Sequence, residues 1–281
     1  MIIYASDLNF LMEKVVSTLV YEISPDDFDK YREFFNRVDF PQTWIGSAFE
    51  YKSVKLFVDT ESNPNTFLLL YPYHAFIVGD PDNSVVHEML DMIPEETQMH
   101  LNAEKWLPKL KEHQFPGTLL NKRRFKLSHQ YLNLEDIARL KKPLPNGYSI
   151  ERVDRETALR LPPILNVHIS PFFGDIDSYL EKGIGFCVKH GDAPISMAGS
   201  CIPYTKKLEV QIATIDSPDY RRKGFGTHTA IALLEYCLTN DIEPHWDATN
   251  EPSSIMAEKL GYSNPEPYYV YKWVENFVPD P

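Results

Sequence analysis

Cysteine is scarce in this chain: 281 residues carry only Cys187, Cys201 and Cys237. They stand far apart among apolar neighbours, an odd number without CxxC spacing. That excludes a disulfide framework or a zinc finger and predicts reduced thiols in an interior. Positive charge is also in deficit. Lys and Arg total 28 against 40 Asp and Glu, a formal net charge of −12, so a general nucleic-acid binder, which needs a basic face, is excluded. No apolar run approaches the roughly 20 residues of a membrane span. The opening MIIYASDLNFLMEK has no cationic lead before Lys14, unlike a secretory signal. The sequence therefore predicts a cytoplasmic protein with neither nucleic acid nor membrane as partner. Metal-ligand spacing is missing too: the nine histidines show no HxxxH or clustered carboxylate spacing, which predicts no metal site. GIGF at Gly183 lacks the third glycine of a dinucleotide loop, and Ser200 in AGSC lacks the spacing of a nucleophile elbow.

What is present is a chain with 43 % hydrophobic residues, enough for one large or two medium domains. The clearest joint is KKPLPNG, Lys141 to Gly147, with two prolines and an Asn-Gly turn, which predicts domains at 1–140 and 141–281. In the first half, Ser24 to Val38 reads as a helix with a Ser cap, proline at its first position and acidic residues in its first turn. VKLFVD and TFLLLYPYHAFIV read as strands, the latter two strands broken near Pro72. VVHEMLDMI and EKWLPKLKEH read as helices, the second limited by Pro108. This half is α/β and carries no chemical motif.

The second half is more legible. YSIERV, GFCVKHG and PISMAGSCI read as strands. KLEVQIATI alternates, with Leu208, Val210 and Ile212 on one face and Glu209, Gln211 and Ala213 on the other. A turn, SPDYRRKGFG, then leads into a helix from about Gly226 to Asn240 whose apolar stripe runs through Ala230, Leu233, Leu234, Cys237 and Leu238. PHWDA predicts a strand, EPSSIMAEKLG a helix and YYVYKWV a closing strand. In an acidic protein the concentration of charge at Arg221-Arg222-Lys223 before two glycines is notable. A helix N-terminus offers unpartnered N–H groups and the positive end of the helix dipole, glycines let an anion approach the backbone, and Arg or Lys side chains close over it.

Arg221-Arg222-Lys223-Gly224-Phe225-Gly226 fits R-x-x-G-x-G, the pyrophosphate signature of the GNAT N-acetyltransferase superfamily, and stands between strand and helix as it does there. Asn250, Ser253, Ala257, Gly261 and Tyr262 match that family's later pattern. The stretch from Asn146 to Val274 thus resembles a GNAT domain, and PHWDATNEPSSIMAEKLGY is most similar to the zwittermicin A resistance-type acetyltransferases. The resemblance implies a mixed, mostly antiparallel sheet flanked by helices in the C-terminal half. Ahead of it would stand a divergent, GNAT-like α/β domain, acceptor-side or structural.

The resemblance also implies acetyl-CoA as donor; it does not identify the acceptor, for which a small-molecule amine is expected, attacking directly in a ternary complex. The turn from Arg221 through Arg222, Lys223, Gly224, Phe225 and Gly226 to Thr227 would hold the pyrophosphate. Main chain at Thr214, Ile215 and Asp216 would pair with the pantetheine arm, either Thr214 or Asp216 making the key contact, and Asn250 and Ser253 would meet it from the other side. The position the family often gives to a proton-donating Tyr is Ala257, which leaves Ser254, a water or a departing thiolate. An alkyl ammonium is neutral about once in 2,500 molecules at pH 7, a cost of about 4.6 kcal/mol, so a base is useful; Glu209, on the polar face of the strand, is the first candidate and Asp247 the second. His168 falls where the acceptor-binding helices lie. Two other readings differ in class: an acyl-CoA-binding sensor without turnover, and an acetyltransferase of protein or peptide amines.

Overall fold

The run TFLLLYPYHAF turns back on itself at Pro72-Tyr73 in the computed structural model of the protein, which describes residues 20–278. The opening MIIYASDLNFLMEK therefore lies outside the described residues. The chain forms two compact units, residues 1–123 with 268–281, and residues 124–267.

The first unit contains β1 (Tyr21–Glu22), β2 (Lys55–Val58), β3 (Thr66–Tyr71), β4 (His74–Gly79) and β5 (Gln98–His100), together with the first part of β6 (Thr118–Ser128) and the last part of β12 (Ser263–Val274). Among the described residues its sheet runs β1-β2-β3-β4-β5-β12, antiparallel throughout except β4 with β5, which is parallel. Helices α1 (Arg32–Asn36), α2 (Gln42–Tyr51), α3 (Val86–Asp91) and α4 (Ala103–Glu112) complete it. Two expectations change here. The helix expected over 24–38 is a 3₁₀ turn, Pro25–Lys30, followed by α1, and Ser24 makes no side-chain cap; the break lets Phe28 and Phe35 both reach the ring of Phe49. Helix α4 runs straight through Pro108. Burial of Trp106 and Leu110 in the unit's core, and the Asn102 side chain accepting from Lys105 N at 3.1 Å, offset the backbone bond that proline removes.

In the second unit the sheet runs β6-β11-β10-β9-β8-β7, formed by the end of β6, β7 (Tyr148–Arg152), β8 (Gly185–His190), β9 (Ala193–Ser200), β10 (Lys207–Thr214) and β11 (Glu243–Ala248). It too is antiparallel except at one pair, β10 with β11. Helices α5 (Leu134–Arg139), α6 (Arg155–Arg160), α7 (Pro163–Asn166), α8 (Ile176–Lys182), α9 (Phe225–Thr239) and α10 (Glu251–Lys259) surround it, with a π turn at Ile169–Phe173. The stripe read from sequence packs as expected: Ala230, Leu233, Leu234 and Cys237 of α9 are buried with Leu208, Val210, Trp246 and Ala248 of the strands, and Leu238 lies at the margin.

The division differs from the joint expected at 140/141. Ile137 of α5 is buried in the same core as Leu233 and Leu234, and Leu144 packs beside Val188 and Phe225. KKPLPNG is therefore a loop inside the second unit, and its prolines mark a turn, not a linker. No described helix is long and apolar enough to cross a membrane.

Gly79 closes β4 at φ +112°, where a Cβ would lie 1.9 Å from the Asn65 carbonyl oxygen. Gly79→Ala is expected to cost about 1–3 kcal/mol of stability through overpacking and strain, read as a lower urea midpoint.

Candidate functional site

Parallel pairing between β10 and β11 covers three residue pairs among the described residues: Lys207 with Glu243, Leu208 with Pro244 and Glu209 with His245. Both strands continue, to Thr214 and Ala248, but there β10 pairs only with β9 and β11 only with β6. The two strands open into a wedge. Alternation decides which groups face it. The Cys201 amide donates to Glu209 O (2.8 Å) and the Ile215 amide to Ile195 O (2.9 Å). Residues 209, 211, 213 and 215 thus bond β9, while Ile212 and Thr214 direct their N–H and C=O toward the open side.

A buried charge cluster holds the apex. Arg124, Glu209 and Asp247 are 4 %, 4 % and 9 % exposed. Arg124 Nε donates to both Asp247 carboxylate oxygens at 3.2 Å, its Nη2 lies 3.0 Å from Oδ2, and Nη2 also donates to the Asp247 carbonyl at 3.2 Å. The Asp247 amide donates to Glu209 Oε1 at 3.0 Å. The two candidate bases thus meet at one spot, in unlike roles. Asp247 is engaged by a guanidinium, and Glu209 satisfies an amide of β11 next to where the ladder ends. The face read as polar is an interior one.

From the wedge, β10 leads into a groove of about 460 Å³ bounded by Ile212, Thr214, Asp216, Tyr220 and the turn into α9. Ser217 O accepts from the amides of Tyr220 (3.0 Å) and Arg221 (2.9 Å), and the turn then takes Arg222 to φ 59° and Gly224 to φ 85°. Phe225, buried and stacked on Tyr148 at 4.6 Å, anchors the first residue of the 15-residue helix α9. Gly226 faces the groove: a Cβ there would lie 3.4 Å from Thr214 Oγ1 and 3.5 Å from Met256 Cε. Glycine keeps this cradle open beside the unpartnered amides of the helix start.

The predicted site residues divide. Arg221, Arg222, Gly224, Phe225, Gly226 and Thr227 line the groove with Thr214 and Asp216; Lys223 does not appear in its lining. Thr214 Oγ1 shares a 2.8 Å hydrogen bond with Ser196 Oγ. The Ile215 amide is spent on β9, and the Asp216 carboxylate lies 2.8 Å from Arg221 Nη1. That hydrogen bond and charge raise the pKa of Arg221, but an exposed pair of this kind is readily exchanged. Asn250, Ser253 and Ser254 are not in the lining. The Asn250 side chain caps α10 by accepting from Ser253 N (3.0 Å), Ser253 Oγ accepts from Trp246 Nε1 (3.1 Å), and Ser254 Oγ donates to Glu258 (3.4 Å). Helix α10 contributes Met256 instead, and Ala257 is fully buried.

Beside the groove is a recess of about 20 Å³ lined by Leu165, Val167, His168, Tyr179, Met197 and Gln211, with Ile164 and Ala213 lining both spaces. Burial pushes the His168 imidazole down to about 4, against a hydrogen bond with Gln211, so it is neutral at pH 7; its Nδ1 lies 3.6 Å from Cys201 Sγ. Ile212, Tyr220, Met256 and Ile164 were missed from sequence. Period-two alternation from Thr214 identifies Ile212 and the turn SPDYRRKGFG contains Tyr220, whereas Met256 and Ile164 have no local signal. The first unit has the corresponding parallel pair, β4 with β5, but the turn after β4 is Gly79-Asp80-Pro81-Asp82-Asn83. Its carboxylates repel an anion.

An opened parallel strand pair beside an anion-binding helix start is the donor architecture of acyl-CoA-dependent transferases. The chain belongs to the GNAT acetyltransferase family, whose profile matches residues 32–271, most of the first unit included. It is similar to the uncharacterized N-acetyltransferase YdfB of Bacillus subtilis (strain 168), 24 % identical over 257 residues, 86 % of this chain and 91 % of that protein. In fold it is similar to a GCN5-related N-acetyltransferase-like protein from Streptococcus suis 89/1591, with TM-score 0.77, 23 % identity, and coverage of 88 % and 98 % of the two chains. A tandem GNAT protein from the clavulanic acid biosynthesis pathway, solved without AcCoA, is similar at TM-score 0.55 and 11 % identity, covering 90 % and 96 %.

Removing one member of a buried ion pair strands the other. Arg124→Leu is expected to destabilise the protein by about 3–5 kcal/mol, with Arg124→Leu/Asp247→Leu recovering most of the loss, as measured by urea unfolding.

Proposed function

We propose that the protein is an acetyl-CoA-dependent N-acetyltransferase that transfers acetyl to an amine of a small molecule by direct attack within a ternary complex. One observation carries this: the open edge of β10 at Ile212 and Thr214 runs without interruption into the glycine-lined turn at the N-terminus of α9. Ile212 and Thr214 pair with the amides of the pantetheine arm as an added strand would. The two candidates for the key contact, Thr214 and Asp216, share one parity; Thr214 is favoured because β10 ends there and the Asp216 carboxylate is turned to Arg221. The amides of Gly224 to Thr227 and the side chains of Arg221 and Arg222 bind the pyrophosphate, Arg221 leaving Asp216 to do so.

The recess at His168 receives the acceptor, because it shares Ile164 and Ala213 with the donor groove and so adjoins the open strand edge. Its small volume and apolar lining fit the end of a small molecule better than a peptide backbone. In the reaction the amine nitrogen bonds to the thioester carbon, the C–S bond breaks, the nitrogen loses a proton and the coenzyme sulfur leaves as thiolate or thiol. Three free, buried cysteines fit a reducing compartment, and we place the protein in the cytoplasm on that ground.

Gly226→Glu fills the cradle and sets a carboxylate against the pyrophosphate; acetyl-CoA binding by calorimetry is expected to vanish while the protein stays folded. Unchanged affinity in that variant would overturn the donor site. Amine and peptide panels with wild-type protein then separate a small-molecule enzyme from a protein-modifying one, and binding of acyl-CoA with no coenzyme A release on either panel identifies a sensor.

For Glu209 we infer a positioning role, since its carboxylate fixes the Asp247 amide at the apex. Glu209→Gln retains an acceptor oxygen for that amide and removes the basic group. Turnover within about tenfold of wild type is expected. A fall of about 10²–10⁴-fold at pH 7 that shrinks at high pH would instead make Glu209 the proton acceptor.

A further inference from the structure

Groups far apart in sequence meet at the closed end of the wedge. Glu243 and His245 stand two apart on β11, so they share a face, opposite the one that carries buried Trp246. His129 follows the end of β6, which pairs antiparallel with β11, and the chain turns there, with His129 O accepting from Leu132 N at 3.0 Å. The fold thereby brings His245 Nε2 to 3.2 Å and His129 Nε2 to 3.7 Å from Glu243 Oε2. One ligand atom from each of the three lies within 4.8 Å of the other two. The two rings are 4.4 Å apart at 56°, tilted and not stacked.

We propose that His129, Glu243 and His245 form a binding site for a divalent transition-metal ion, Zn²⁺ by the chemistry of its donors, with solvent completing the coordination. Two imidazole nitrogens and a carboxylate oxygen are a donor set suited to zinc, whereas calcium and magnesium take oxygen ligands. Bonds of about 2.0–2.2 Å in a tetrahedron place ligand atoms about 3.3–3.6 Å apart, close to the 3.2 and 3.7 Å found from Glu243 Oε2 to the two imidazoles, so closure needs only side-chain movement.

The group that competes for Glu243 is Lys207, whose Nζ lies 3.7 Å from Glu243 Oε2 across the β10/β11 pair; its side chain is 53 % exposed and free to swing away. His245 pairs with Glu209 in the last register before the strands part, so a bound ion would brace the closed end of the wedge. The inference stands apart from the acetyl-transfer reading.

The test uses the full-length protein after chelator treatment, titrated with Zn²⁺ by calorimetry and with Co²⁺ by visible absorption. One ion per chain is expected, with Kd of about 10 µM or tighter and ligand-field bands on Co²⁺ loading. His129→Ala and His245→Ala should each weaken Zn²⁺ by more than about tenfold, while Lys207→Met should tighten it by removing the competing charge. Wild-type binding weaker than about 100 µM, or wild-type affinity in both histidine variants, would overturn the site. Circular dichroism reports on folding; if His245→Ala is unfolded, His129→Ala, at a turn, decides alone.

Discussion

The second unit depends on one constraint: two parallel strands must stop pairing at a fixed place. A sheet left to itself extends its ladder, since each unpaired buried amide or carbonyl costs free energy. Here the ladder ends after Glu209 and His245 because side chains take over from backbone. Glu209 receives the Asp247 amide and Arg124 receives the Asp247 carbonyl, so the first groups of β11 past the break are already satisfied. The guanidinium then balances the Asp247 carboxylate at the same point. Beyond this apex, the edge of β10 at Ile212 and Thr214 has no neighbouring strand to pair with among the described residues; the Ile212 carbonyl accepts a 3.4 Å hydrogen bond from the Gln211 side chain instead. The charge cluster thus converts a strand pair into a slot, and the turn and the N-terminus of α9 supply the slot's positively charged end.

The two units show how little of this is fold alone. Each has a run of antiparallel strands, one parallel pair and a last antiparallel neighbour, in the same spatial order. Yet only the second follows the strand before its parallel break with cations and glycines. In the first, Asp59 Oδ1 accepts from the amides of Asn65 and Thr66, and Asn83 Nδ2 donates to Asp59 Oδ2 at 2.7 Å. This network of short polar side chains locks the turn after β4 onto the neighbouring β2–β3 hairpin. The same topology serves there as scaffold, with its turn committed to internal hydrogen bonds.

Legibility in the sequence followed the range of the interactions. Strand alternation in KLEVQIATI, the stripe of α9 and the turn Arg221 to Gly226 are local, and the structure places them as read. Asn250 was legible as a residue at a strand end, but its nearest use is local too: an Asn three residues before a free amide becomes a helix cap before it becomes a ligand contact. The prolines of KKPLPNG suggested a linker because composition marks turns without saying what packs around them; Leu144 does that packing. The partners of Glu209 and Asp247 were the least legible. Arg124 lies 123 positions from Asp247, and no pattern in either neighbourhood announces the other. The same holds for His129 and His245, which spacing rules could not bring together.

The path of the chain between the units has a consequence for biosynthesis. It passes from the first to the second within β6 and returns within β12, and Tyr271 of β12 pairs with Met99 of β5 and is buried in the first unit's core. A polypeptide emerging from the ribosome at about 5–20 residues per second usually completes its domains from the N-terminal end. In this protein the order is inverted. Residues 124–267 can close their sheet as soon as they are released, whereas the earlier-made strands β1 to β5 must wait with one edge uncapped until the residues beyond 267 arrive. The first part of the chain to be synthesised is the last to be finished, and during that interval its open β5 edge is where chaperone protection is most needed.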